Sequence, residues 1–172
     1  MKENIALIGF MGSGKTTIGR QLAKAMEMKF IDIDKMISMR ERKSIPEIFQ
    51  EKGERYFRDL ERKIIEEESG ENNIVISTGG GSIVDNENIK NLKKSSFVVY
   101  LDSTLNCIYE RVKNGRNRPL LNNVEDLFET IKDLHEKREW LYKISADYSV
   151  RIDVGSQIQD TVEEIKQAYI RS

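Results

Sequence analysis

The sequence predicts an α/β domain in which a five-stranded parallel sheet is flanked by helices on both faces. Three observations carry this. Short β-rich runs alternate with longer stretches of helical period along the chain. Four of the five runs are near-continuously apolar, the pattern of strands covered on both sides. A gapless G-x-x-x-x-G-K-[ST] stretch, "GFMGSGKTT" at 9–17, stands between the first run and the first helical segment.

In order, "NIALIG" (4–9) reads as a strand, and a helix follows from about Lys15 to Glu27 with Ile18, Leu22, Ala25 and Met26 on one face. "KFIDID" (29–34) is the second strand. "SIPEIF" opens a helix: Ser44 can cap, Pro46 suits the first turn, and Glu47 stands three after Ser44 as in a capping box. That pattern is interrupted at Gly53, runs to about Ser69, and meets Gly70 as a stop signal. "NIVIST" (73–78) is the third strand and leads into three glycines; a short helix covers 85–94. "SFVVYLD" (96–102) is the fourth strand, "TLNCIYERV" begins another helix, and "NGRNRPLLNN" (114–123) is by composition a mobile surface loop. "YSVRID" (148–153) is the fifth strand, before a closing amphipathic helix with Val162, Ile165, Ala168 and Tyr169 on its apolar face.

At 172 residues the chain has the length for one core, so 1–172 is read as a single domain. Lys plus Arg at 28 nearly cancel Asp plus Glu at 29, and a net charge of −1 gives no bias toward polyanions, so nucleic acid is disfavoured as a partner. No apolar run approaches the ~20 residues that span a bilayer. "MKENIALIGF" has the look of a signal peptide, but Gly9 and Gly12 cut its apolar run short and no small-residue cleavage site follows. Cys107 is the only cysteine, which excludes an internal disulfide and makes a reducing, cytoplasmic setting the expectation; its apolar neighbours make it a buried small hydrophobe.

The glycine-rich stretch has a chemical purpose. Glycines let backbone N–H groups turn inward around phosphate oxygens, and the following helix adds its positive end. Gly12, Ser13, Gly14, Lys15, Thr16 and Thr17 are therefore candidates to hold a nucleoside triphosphate, with Lys15 as a cation on the phosphates and Thr16 as a magnesium ligand. The motif alone does not separate kinases from GTPases, transport ATPases or helicases. Three strands end in acids, and Asp32 and Asp34 stand out: alternating residues on a strand point the same way, so both carboxylates are expected to face one cleft at the strand's carboxyl end. Asp102 and Asp153 stand alone and read as caps of a following helix or turn. The Asn-Lys-x-Asp run that specifies guanine is absent, which argues against a GTPase.

Taken together, "GFMGSGKTT", "DID" at 32–34, "FRDLE" at 57–61, "STGGG" at 77–81, "RNRPLL" at 116–121 and "KREWLY" at 137–142 resemble, in order and spacing, the shikimate kinase family, which is related to the nucleoside monophosphate kinases. The resemblance runs end to end. It implies a phosphate-loop kinase architecture with a mobile lid at about 112–124, an acceptor-binding region at about 34–61, and ATP, Mg2+ and shikimate as ligands of a monomeric enzyme that binds neither membrane nor nucleic acid. Asp34 matches the family residue that holds the ring hydroxyls and orients or deprotonates the attacking one. Arg58 and Arg138 match the clamp on the shikimate carboxylate, for which two guanidinium forks are chemically apt. Gly79, Gly80 and Gly81 match the shikimate-contacting loop. Lys15, Asp34 and Arg118, the lid arginine, form the expected catalytic set; Thr16 and Asp32 form the metal side, Asp32 through water. Arg111 matches a residue that packs on adenine.

Some relatives carry basic residues and a proline after the last strand. Here "DVGSQIQD" stands instead, leaving Gln157 as the candidate for adenine. Arg116 and His135 read as solvated charges; Phe57 and Phe49 are candidates for a pocket wall or for core. Two rivals remain at this stage: a gluconate kinase-like enzyme, and a nucleotide-binding module without catalysis. The first shares the loop and lid and differs at the acceptor site; the second predicts loss of Asp34, Arg58 and Arg138, all of which are present.

Overall fold

Asn4–Ile8 forms β1, buried along its whole length as the central strand of the sheet. The structure is a computed structural model and describes residues 2–113 and 126–172. Among these, β1 is followed by α1 (Lys15–Ala25), β2 (Lys29–Asp32), α2 (Ile33–Glu41), α3 (Ile45–Ser69) and β3 (Ile74–Ser77). A 3-10 turn at Ser82–Val84 then leads to α4 (Asn86–Ser95), β4 (Ser96–Ser103), α5 (Leu105–Val112), α6 (Leu127–Ser145), β5 (Tyr148–Ile152) and α7 (Ile158–Ile170). The strands are all parallel in the order β2-β3-β1-β4-β5.

The pleat sorts β1 onto two cores. Ala6 and Ile8 join Ile76, Val98 and Tyr100 beneath Ile64 and Ile65 of α3, Leu92 of α4 and Ile131 and Tyr142 of α6. Ile5 and Leu7 face the other way, with Val75, Val99 and Val150, against Ile18 and Leu22 of α1 and Val162 and Ile165 of α7. Cys107 lies buried in this second core, as its neighbours predict.

At the amino ends of the strands, side chains satisfy what the ladders leave open. The fully buried Asn4 donates to the Glu71 carbonyl (2.6 Å) and accepts from the Ile74 N–H (3.1 Å), pinning β1 to the turn before β3. Asp147 accepts from the Val98 N–H (2.9 Å) and from Lys2 (2.7 Å).

The expected strands agree within a residue, except the second. It ends at Asp32, not at 34, and an unanticipated helix, α2, begins at Ile33, because the Asp32 carboxylate accepts from the Lys35 N–H (3.1 Å) and caps it. The capping box at Ser44 and Glu47 forms, and α3 breaks at Gly53, whose φ is 80°. Gly70 does cap α3, though in a right-handed conformation (φ −80°). Asp153 holds a turn by accepting from the Val154 N–H and Thr104, whereas Asp102 caps nothing and pairs with Arg151 (2.8 Å).

Gly19 on α1 lies close against the sheet. A Cβ there would stand 2.6 Å from Phe30 Cε2 and 3.2 Å from Leu7 Cδ1. Gly19→Ala is therefore expected to destabilise the fold by about 1–3 kcal/mol in denaturant unfolding through overpacking. Trimming the obstruction with Phe30→Leu in the same chain should make the added methyl less damaging than it is alone.

Candidate active site

The phosphate loop runs from Gly9 at the end of β1 to Gly14, which starts α1 in a left-handed conformation (φ 96°). Gly12 also has positive φ (78°), and a Cβ there would lie 2.8 Å from Val112 Cγ1, so only glycine fits between the loop and α5. α1 has no acid in its first turn, which leaves the positive end of the helix uncancelled. Lys15 is buried rather than the surface cation its charge suggests: its ammonium lies inside the loop, donating to the carbonyls of Gly9 (2.8 Å) and Phe10 (2.9 Å). Arg111 reaches from α5 to donate to the Gly12 carbonyl (3.1 Å), over the mouth of the loop.

Asp32 and Asp34 do come together, but by another route than strand alternation. Asp32 is the cap of α2 and Asp34 lies in its first turn. The second oxygen of Asp32 accepts from the Thr16 hydroxyl (2.7 Å), which joins the end of β2 to the start of α1. Asp34 opens onto the cleft, yet its carboxyl is closely surrounded. Crowding by protein, then the charges of Glu61 and Asp32, push it up to about 6, against the opposing pull of Lys15 and Arg58.

Glu61, the last residue of "FRDLE", is a site residue to which the sequence reading gave no role. It is fully buried, accepts from Arg58 Nη1 (2.8 Å) and from the Ser82 hydroxyl, and so fixes the guanidinium beside the glycine loop. The signal was its place on α3 three residues after Arg58, where an ion pair forms on one helix face. The three glycines fit close around these groups. A Cβ at Gly79 would stand 2.6 Å from Glu61 Oε1 and 2.9 Å from Asp34 Oδ1; at Gly80, 2.9 Å from Met11 N; at Gly81, 2.6 Å from Arg58 Nη2. Asp34, Glu61, Arg58 and Gly79–Gly81 thus form one cluster at the carboxyl ends of β2 and β3, beside the phosphate loop.

Arg138 stands on α6 one turn before Tyr142, whose hydroxyl donates to the Gly80 carbonyl (2.5 Å). Phe57 is buried and Phe49 half-buried, their rings 4.8 Å apart within the core, with the Arg58 guanidinium over the Phe57 ring. Thr17 is exposed on α1, and Gln157, at the start of α7, turns its amide back to the Gly155 carbonyl (3.1 Å). His135 is not solvent-facing: it is buried, its ring 5.5 Å from that of Phe10, and burial pushes its imidazole below the usual range. Arg116, Arg118 and all but the first residues of the expected lid lie outside the described residues.

The raised Asp34 carboxyl has a defined effect on stability. The fold favours its neutral form, so ionised Asp34 weakens the fold above about pH 6, and the penalty disappears below about pH 4, where the carboxyl is protonated folded or unfolded. Asp34→Asn should therefore melt higher than the parent at pH 7–8 and match it near pH 4. Glu61→Gln removes one of the charges that raise Asp34, and carbon-13 NMR of the side-chain carboxyl should find Asp34 titrating lower in that variant.

A shikimate kinase family model matches residues 11–169. The shikimate kinase of Persephonella marina is 45% identical over 164 residues, covering 95% of this chain and 96% of that one. That of Sulfurihydrogenibium sp. is 44% identical over 164 residues, with 95% of each chain covered. Among solved structures, the Acinetobacter baumannii shikimate kinase in complex with shikimate superposes with a TM-score of 0.94 at 34% identity, covering 99% of this chain and 94% of that one. Deoxyadenosine kinase from M. mycoides shares the fold alone, at a TM-score of 0.61 and 17% identity, over 98% of this chain and 100% of that one. With a family model over nearly its whole length and relatives above 40% identical over 95% of it, the chain belongs to the shikimate kinase family.

Proposed function

We propose that the chain transfers the γ-phosphoryl group of ATP to the 3-hydroxyl of shikimate, giving shikimate 3-phosphate and ADP, a step on the chorismate route to the aromatic amino acids. The observation that carries the mechanism is the first turn of α2. Asp32 there faces the phosphate loop through Thr16, and Asp34, two residues on, faces Gly79, Glu61 and Arg58. Nucleotide and acceptor sides are thereby held two residues apart on a rigid element, the proximity that in-line transfer requires.

Asp34 accepts from the 3-hydroxyl and takes its proton as the oxygen attacks phosphorus; the bond from phosphorus to the β–γ bridging oxygen breaks and ADP leaves. Crowding by protein, with the charges of Glu61 and Asp32, keeps Asp34 basic enough for this while leaving it largely ionised at neutral pH. Arg58 and Arg138 hold the shikimate carboxylate, and Gly79–Gly81 admit the ring. Lys15, already inside the loop, meets the β- and γ-phosphates; Gly12–Thr17 hold the triphosphate, and Arg111 and Gln157 border the base. Arg118, which lies outside the described residues, is assigned by the family resemblance to the phosphates, where exclusion of water would suppress competing hydrolysis.

Thr16 and Asp32 supply hard oxygen donors side by side, and no cluster of three or more His, Cys, Asp or Glu suited to a metal occurs among the described residues. That donor set fits Mg2+, which keeps waters and shares phosphate oxygens in place of a full protein cage. When bound, Mg2+ neutralises charge on the phosphates. The chain is taken to act as a cytoplasmic monomer; no described helix is long and apolar enough to cross a membrane.

An ADP-release assay with shikimate, gluconate and nucleoside monophosphates tests the assignment: turnover with shikimate alone is expected, and turnover with another acceptor but not shikimate overturns it. In the same assay the acid limb of kcat/KM should fall near pH 6 and disappear with Asp34→Asn, which should also lower kcat by about 10²-fold or more. A shikimate analogue with a neutral hydroxymethyl in place of the carboxylate should lose roughly 30- to several-thousand-fold in kcat/KM, because two guanidinium groups are left without their counter-ion. Arg138→Lys should hurt turnover of shikimate far more than of that analogue.

A further inference from the structure

β2 is an edge strand: it pairs with β3 on one side, and no strand of the sheet lies along its other edge. Main-chain groups on that edge are left open. Beside it, α1 and α2 leave a cavity of about 560 Å³, a size that takes a small organic molecule. The walls have two characters. Phe30 and Met36, both half-buried, and Met39, which is 68% exposed, give an apolar lining, and the thioethers can adapt to the shape of what they meet. Arg20 of α1, Lys29 at the start of β2 and Lys35 of α2 bring three cations to the same space. They come from three elements, so the fold gathers them; they are not a run of charge along the chain.

These cations lack the partners that others nearby possess. Around α2 and α3, Arg40 pairs with Glu67 (2.6 Å), Lys52 with Glu41 and Lys43 with Glu51. Among the described residues, Arg20, Lys29 and Lys35 make no side-chain ion pair, and Arg20 lies over the Phe30 ring, 5.6 Å from its centroid. Asp32 is the one acid in the lining, and each of its oxygens is already taken, by the Lys35 N–H and by the Thr16 hydroxyl. The cavity is therefore apolar within, positive around its mouth and short of an anion. A carboxylate on an apolar body complements both features. The planar fork of Arg20 suits a carboxylate, and burying a ring or chain against Phe30, Met36 and Met39 removes apolar surface from water on both sides. Of the lining residues only Asp32 also belongs to the catalytic cleft; Lys15, Asp34, Arg58 and the three glycines are not part of this wall.

We propose that this cavity is a second small-molecule site, apart from the catalytic cleft, which binds a carboxylate carried on an aromatic or aliphatic body. The chain has six methionines, and their carbon-13-labelled methyl groups report on it by NMR. Met36 and Met39 line the cavity, whereas Met11 stands against Gly80 in the acceptor cleft. Titrating the full chain with 3-phenylpropanoate should move the Met36 and Met39 methyls together, with a dissociation constant of about 1 mM, and leave Met11 in place. The neutral amide, 3-phenylpropanamide, should bind about ten-fold more weakly or worse. Arg20→Gln combined with Lys29→Gln changes two exposed side chains outside the catalytic machinery; it should weaken the carboxylate to the level of the amide while ADP release and the melting temperature stay as in the parent. No movement of Met36 and Met39 up to about 10 mM overturns the proposal, as does equal affinity for acid and amide or an unchanged affinity in the double variant. Movement of Met11 alone places the anion in the acceptor cleft and overturns it too. Met36 and Met39 signals that shift with protein concentration and no longer respond to the probe would show a second copy of the chain covering the edge, which also removes the site.

Discussion

Each oxygen of the Asp32 carboxylate takes one hydrogen bond, from the Lys35 N–H and from the Thr16 hydroxyl, and the site depends on that pair. The first bond ends β2 and starts α2; the second ties that helix to the one that begins at the phosphate loop. Without the first, the chain after Asp32 would continue as strand and Asp34 would sit elsewhere. Without the second, the carboxylate at the metal side would have no fixed relation to the loop. One side chain thus sets the distance between the nucleotide and its acceptor.

Charge around Asp34 is arranged with similar economy. Arg58 is offered two carboxylates, but they are unequal partners: Glu61 is fully buried and 2.8 Å away, whereas Glu54 is 56% exposed and 3.3 Å away. The exposed pair is screened and contributes little, and it can yield when a ligand arrives; the buried one cannot be broken without stranding a charge. Glu61 therefore performs two tasks at once. It orients the guanidinium, and its charge helps hold the Asp34 carboxyl above the ordinary range.

Much of this was legible in the sequence, for reasons that differ from residue to residue. The strand order could not be read, but the strands themselves could, because burial on both faces leaves uninterrupted apolar runs such as "NIALI". Asp34 was expected in the cleft on a strand and lies there on a helix: the cap that Asp32 provides overrides the β pattern of "KFIDID" after its fourth residue. His135 was misread because its neighbours Glu136 and Lys137 are charged, although its spacing from Ile131 and Tyr142 puts it on the inner face of α6. Lys15 is buried although charge is usually solvated, because backbone carbonyls of the loop substitute for water. Glu61 closes "FRDLE" but received no role from it, since what Glu61 does is expressed only through Arg58 and Ser82.

The two ends of the sheet are finished differently. At the amino end, Asn4 and Asp147 close off the N–H and carbonyl groups that the ladders leave over, so the protein is its own partner there. At the carboxyl end the strands run out into glycines, a helix start and carboxylates that are only partly matched by one another. Robustness and reactivity are in this way assigned to opposite poles of one scaffold. Genetic drift is then constrained by different criteria at each pole: side-chain shape and hydrogen-bond count at the first, charge and reach at the second. A lineage can retune what it phosphorylates at one pole without renegotiating how it folds at the other.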